Sequence, residues 1–307
     1  MNNPILKGFS PALQLLFFFI LLLTFMGIGG FVALLVGTLG FGIPMNELQN
    51  VVSNPTEEYA LALMWMNNVS QVFTFLLPAL AFVLLFGKSS VNGFMLQPVA
   101  LISLVGAAVF ILISGGVIDL SSQFNKWLIP VGSSLEQWAK PMEEAAEVLT
   151  KTILSTNDTL SLMMTFFSIA IIPAVCEELA FRGVMQPLIA KATRNVHIAI
   201  WLTAIMFSLF HMQFYGFLPR VLIGVLLGYI VIWSGSLWPS ILAHFVNNAT
   251  AFFLYQKYGS MEAPEDSFQN QWYVYAISIV LTVLFILWFR KRSKWPWKSF
   301  EYLGITG

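Results

Sequence analysis

Charge is scarce in this chain. Of 307 residues only 10% are Asp, Glu, Lys or Arg, and the formal net charge is zero. A soluble domain carries roughly 25% charged residues, so water is not the solvent for most of this sequence. The neutral balance offers no footing for a nucleic-acid partner, and none is expected. Cysteine is nearly absent too. With Cys176 alone, an intrachain disulfide and a thiolate metal cluster are excluded, and the residue reads as a small packing group. The H-E-x-x-H helix of many zinc peptidases does not occur. Nor is there an internal repeat, a low-complexity tract or a second domain, so residues 1–307 are read as one membrane domain. The N-terminal "MNNPILKGFSPALQLLFFFILLLTF" has no early small-residue cleavage site, and its apolar run continues to about Val36. That is too long for the apolar stretch of a signal peptide, so a retained first span is expected.

Long apolar runs are what the chain has in abundance, at 58% hydrophobic residues. Runs of about 20 apolar residues mark spans, and eight stand near 12–38, 61–86, 99–119, 160–182, 197–213, 217–234, 237–255 and 271–289. Backbone groups in lipid must be bonded within their own segment, so each run is a helix. The expected fold is all-α, a polytopic bundle of about eight transmembrane helices in a lipid bilayer. Both chain ends and the loops near 87–98, 183–196 and 235–236 hold Lys7, Lys88, Lys191, Arg194 and the run Arg290 to Lys298, with Glu301 as their one acid. The alternate loops are rich in Glu and Asp. The positive-inside rule therefore places both termini in the cytoplasm. Residues 120–158 are read as an extracytoplasmic segment. Within it "SSLEQWAKPMEEAAEVLTKTILSTND" (133–158) is acidic and amphipathic; it is expected to lie on the outer membrane surface or to cover the bundle, as a solvated connecting helix rather than a binding surface.

Polar residues inside the runs are few. The second run contains "MNNVSQ" (Met66 to Gln71), and the fourth ends in Glu177, Glu178 and Arg182. The fifth ends in "FSLFHMQ" with His211, the sixth opens with Arg220, and the seventh reads "LAHFVNNAT" with His244, Asn247 and Asn248. If the fourth and fifth runs form a hairpin turning at Thr193 to Asn195, Glu177 lies 17 residues before Arg194 and His211 lies 17 after it. At a 1.5 Å rise both sit about 25 Å from the turn and face each other. The fourth helix must then continue past Arg182 to about Ala192. His244 and Asn248 are four apart and share a helix face. The layer they form is expected in the cytoplasmic half of the membrane. Glu177 and Glu178 point about 100° apart. Arg182 is four residues after Glu178 and can pair with it, leaving Glu177 freer for chemistry. A polar network that merely locks helices is the alternative. Interhelical polar bonds in lipid contribute under ~1 kcal/mol on average, little return for burying two carboxylates, and ionisable residues in a membrane are functional candidates by default.

Three of these motifs, "EELAFR" (Glu177 to Arg182), "FSLFH" (Phe207 to His211) and "HFVNN" (His244 to Asn248), occur in this order on consecutive runs. Together they resemble the CPBP, or ABI, family of intramembrane proteases, which includes the type II CAAX prenyl endopeptidases and shows E-E-x-x-x-R, F-x-x-x-H and H-x-x-x-N or D. The resemblance covers about residues 165–250 of a catalytic core at 160–255. It implies peptide hydrolysis within the membrane, acting on a membrane-associated protein or peptide. Glu177 would activate water, with Glu178 and Arg182 in support, and His211, His244 and Asn248 would complete the site, flanked by Asn247 and Phe207. All motif positions are filled.

A buried carboxylate is a stronger base near neutral pH, so Glu177 is expected to take the proton from water. His211 or Asn248 would stabilise the oxyanion, and His244 would orient water or pass a proton to the leaving nitrogen. No cofactor is favoured. The metal-dependent version would use zinc on Glu177, His211 and His244. Against an enzyme stand a non-proteolytic scaffold or bacteriocin-immunity protein, and a proton-coupled transporter, which would show paired broken helices that are not visible here. The eukaryotic relatives cut prenylated C-terminal tripeptides. This compact chain looks bacterial, in a cytoplasmic membrane, and its substrate is open.

Overall fold

A computed structural model of the chain describes residues 6, 8–87, 92–155, 158–260 and 272–292. The basic run beyond Arg292 and the acids Glu262, Glu265 and Asp266 lie outside them. All regular structure among the described residues is helical. We number the helices α1 (Pro11–Gly40), α2 (Met45–Ser53), α3 (Glu57–Phe86), α4 (Leu101–Ile113), α5 (Gly115–Trp127), α6 (Ser134–Leu154), α7 (Thr159–Thr193), α8 (Val196–Phe210), α9 (Phe217–Ser234), α10 (Trp238–Tyr258) and α11 (Trp272–Arg292).

Local chemistry sets these boundaries. Ser10 accepts a hydrogen bond from the Leu13 amide and Pro11 begins α1, the arrangement that satisfies an amide the helix cannot. Asp158 caps α7 through Ser161. Asn195 caps α8 through the amides of His197 and Ile198. Gly235 and Gly259 end α9 and α10 with positive φ, where a side chain would be strained.

Five helices, α1, α3, α7, α9 and α11, are long and apolar enough to cross a membrane, and α4 with α5 makes a sixth if that pair, bent by 41°, is one span. Helix α8 is apolar but short, and α10 carries His244, Asn247 and Asn248. The protein is an integral membrane protein. Large apolar side chains such as Leu23, Phe31, Leu84, Leu101 and Val280 are exposed along its outer helices, tolerable only against lipid.

Helix α7 runs unbroken for 35 residues and turns at Thr193 to Asn195 into α8, as the equal spacing of Glu177 and His211 requires. Arg194 makes the turn with φ +52°. Every residue from Cys176 to Ala190 is buried, so this end of α7 leaves lipid for protein.

The long helices are not regular. Wide, π-type turns occur at Val72–Leu76 in α3 and at Phe167–Ile171 and Phe181–Met185 in α7. A fourth ends α1 at Val36–Gly40; each of the three in α3 and α7 is followed two residues later by a proline, Pro78, Pro173 and Pro187. Proline has no N–H for the carbonyl four residues back, and its ring clashes with it. The wide turn opens the helix where that conflict arises. Turns of this kind recur at functional sites, and these three surround the polar residues of the bundle.

Candidate functional site

Glu177 and Glu178 follow Pro173 on α7, and their adjacency sends the two carboxylates different ways. Glu178 points into protein and is fully buried. Its carboxylate accepts from Arg182 Nη1 at 2.6 Å and from Ser240 Oγ at 2.5 Å, and His244 Nδ1 lies 3.1 Å from its Oε1. Arg182 is equally sealed. Its Nη2 donates to the Gly224 carbonyl at 3.0 Å, and its guanidinium lies 4.7 Å from the centre of the Phe207 ring. The approach depends on Gly224, since a Cβ there would stand 2.8 Å from the Cβ of Ala204. The glutamates and arginine thus have separate tasks. Glu178 and Arg182 form a closed ion pair behind the site, and Glu177 forms its wall.

Glu177 faces a cavity of about 910 Å³ that is also lined by Gln71, Phe207, His211, His244, Asn247 and Asn248. Its Oε2 is buried without a hydrogen-bond partner and lies 3.9 Å from His244 Nε2. Gln71 of α3 faces the same cavity. His244 therefore stands between the glutamates. One ring nitrogen is turned to the paired Glu178, and the other to the open oxygen of Glu177. An ionised Glu178 can only accept, so His244 carries its proton on Nδ1 and presents Nε2 to the cavity.

His211 ends α8. Its Nδ1 lies 2.8 Å from the Phe207 carbonyl, which also only accepts, so the proton sits on Nδ1 and Nε2 remains available. The bond satisfies a carbonyl that the helix end leaves open. Asn248 donates to the Ile169 carbonyl at 3.4 Å. Ile169 is four residues before Pro173, so its carbonyl is the one that the proline deprives of an amide. Asn247 in turn donates to Asn248 at 3.3 Å. A side chain that looked catalytic by motif thus has a second task in repairing α7, and one of its two amide hydrogens remains for other work.

All eight sequence-predicted residues, Glu177, Glu178, Arg182, Phe207, His211, His244, Asn247 and Asn248, come together. The 133–158 segment covers the bundle, with most of its charged side chains exposed. Helix α6 lines the cavity through Lys140, Glu143, Glu147 and Ile153, and Glu143 accepts from the Tyr215 amide just beyond His211. At this rim Lys151 pairs with Glu147 at 2.5 Å. That bond and the Glu147 charge hold the lysine above its usual pKa range, though an exposed pair adds little stability. The cavity also extends from Glu177 toward the N-terminal end of α7 and the C-terminal end of α10, away from the Thr193–Asn195 turn. Sequence reading missed Ser240. It is four residues before His244, and that spacing was the available signal.

Against this geometry, residues 159–250 match the family model described as type II CAAX prenyl endopeptidase Rce1-like. The chain is related to the CPBP family. The matched segment contains every motif residue of the site, while Gln71 of α3 lies outside it. No curated protein and no solved structure matches the chain. Among the described residues, no group of three His, Cys, Asp or Glu is disposed to hold a metal ion. Glu177, His211 and His244, the set that zinc would need, share the cavity without forming such a group.

Proposed function

We propose that this CPBP-related protein is an intramembrane endopeptidase in which Glu177 activates water. The observation that carries this is the Glu177 Oε2 atom, buried, unpartnered, aimed into a polar cavity and 3.9 Å from a histidine nitrogen. Unsatisfied buried acceptors are rare and call for an explanation. A water bridging Glu177 and His244 Nε2 would satisfy both and stand ready for attack.

In the proposed cycle Glu177 takes the water proton as hydroxide adds to the scissile carbonyl. The oxyanion that forms is held by the free hydrogen of Asn248, by His211, or by both, each such donor contributing about 3 kcal/mol. His211 donates there as the neutral tautomer with its proton on Nε2, which gives up the bond from Nδ1 to the Phe207 carbonyl. Glu177 or His244 then delivers the proton to the departing nitrogen. Glu178, anchored by Arg182 and Ser240, fixes the ring of His244. The substrate is a membrane-associated protein or peptide, the chain crosses the membrane eight times with both ends cytoplasmic, and no metal takes part.

The test compares membrane peptides in cells carrying the wild-type chain or Glu177→Ala. The proposal expects uncut precursors to accumulate with the variant while its membrane level is unchanged. A folded variant with an unaltered peptide profile and phenotype would favour a scaffold or immunity role. Stoichiometric metal in purified protein that disappears with His211→Ala would replace the glutamic mechanism by a metal-dependent one.

A further inference from the structure

The two ends of the site differ. Below Glu177 the bundle is closed. Residues Cys176 to Ala190 are buried, and Phe94 sits where a Cβ on Gly183 would come within 2.9 Å of its ring. The segment before α4 is tied to the α9–α10 turn. Leu237 N donates to Met95 O at 2.8 Å, Ser236 Oγ donates to Gln97 O at 2.8 Å, and the Gln97 amide bonds the Gly235 carbonyl. Above Glu177 the cavity continues past Ile169 on α7 and Ala251 on α10 to Gly259 and the charged face of α6.

The ends also differ in charge. The closed end carries Lys191 and Arg194 at the α7–α8 turn and Arg290 and Lys291 at the end of α11, with no acid there among the described residues. In sequence, Lys7 flanks the start of α1 and Lys88 the end of α3. The open end carries Glu57, Asp119, Glu136, Glu143, Glu144 and Glu147 among its acids, interspersed with lysines. Lysine and arginine near span ends mark the cytoplasmic side, so the closed end is cytoplasmic.

We infer that the site is served from the extracytoplasmic face. Both water and substrate enter under α6, and a cytoplasmic peptide meets the closed end. This rests on the peptidase reading and narrows its substrate. The bond cut lies in the extracytoplasmic segment next to the anchor of a membrane-held protein or peptide. The rim on α6 offers both signs of charge, Lys140 and Lys151 beside Glu143 and Glu147, which suits a polar extended segment better than a lipid chain.

Single cysteines test this without reference to catalysis. The wild-type chain is the blank, because its one cysteine, Cys176, is buried. Glu144→Cys marks the rim, Ala251→Cys the cavity wall, and Ala192→Cys the exposed last turn of α7 at the closed end. A sulfonated, membrane-impermeant maleimide is added to spheroplasts expressing the full chain, before or after lysis. Glu144→Cys and Ala251→Cys are expected to label as fully before lysis as after it, and Ala192→Cys only after lysis. The reverse pattern, or an Ala251→Cys that labels only after lysis, overturns the inference. Because labelling needs no turnover, a chain oriented as inferred that cuts nothing would refute the peptidase reading alone.

Discussion

Arg182 is among the largest side chains with no solvent exposure, and its carboxylate partner Glu178 is equally enclosed. Removing one member of such a pair strands the other charge, at a cost of about 3–5 kcal/mol. Arg182→Met is therefore expected to lower the thermal midpoint of the purified protein sharply or to prevent its accumulation. Arg182→Lys should fall short of wild type as well, since one ammonium cannot reproduce the planar fork that reaches both Glu178 and the Gly224 carbonyl. Ser240→Ala removes one donor to an ionised carboxylate, a loss of about 1.5–3 kcal/mol, and should be detectable by the same melt. Of these contacts the Glu178–Arg182 pair was legible in the i, i+4 spacing. Ser240 was not, because a serine in an apolar helix has no charge to draw attention, and only the packing of α10 on α7 shows what it reaches.

At the scale of elements, the prolines shape α7. Pro173 deprives the Ile169 carbonyl of its helical partner, and Asn248 supplies a substitute from α10. Pro173→Ala restores an amide to that position. The helix can then close over Ile169, Asn248 loses its acceptor and the rotation of Glu177 about the axis changes. The expected result is a thermal midpoint equal to or above wild type with reduced peptide cleavage; equal cleavage would show that the wide turn has no part in positioning Glu177. The α8–α9 contact is set by small residues. Gly224→Val would drive side-chain atoms into Ala204, an overpacking that costs about 1–3 kcal/mol, and would push the backbone carbonyl away from Arg182. A lowered melt of that size checks it. Apolar runs announced these helices, and the spacing about Thr193 to Asn195 announced the hairpin. The wide turns were not announced, since proline in a membrane helix has several accommodations and composition does not choose among them.

For the whole molecule, periodicity and charge gave an all-helical membrane protein, and three motifs on successive helices gave its family relation. What they did not give is which end of the bundle is closed. Helical spacing fixes the faces that meet and says nothing of where a loop such as 92–97 folds back as a plug. The same holds for α6. Its amphipathic pattern suits a helix in water and a helix roofing a polar cavity alike. In the proposed mechanism one glutamate acts on water while its neighbour holds the frame. The most direct measurement is cleavage of a membrane peptide by purified Glu177→Gln, paired with its thermal melt. A general base contributes about 10²–10⁴-fold to rate, so cleavage should fall by that factor with the melt unchanged. A folded Glu177→Gln protein that cleaves at the wild-type rate would contradict the account.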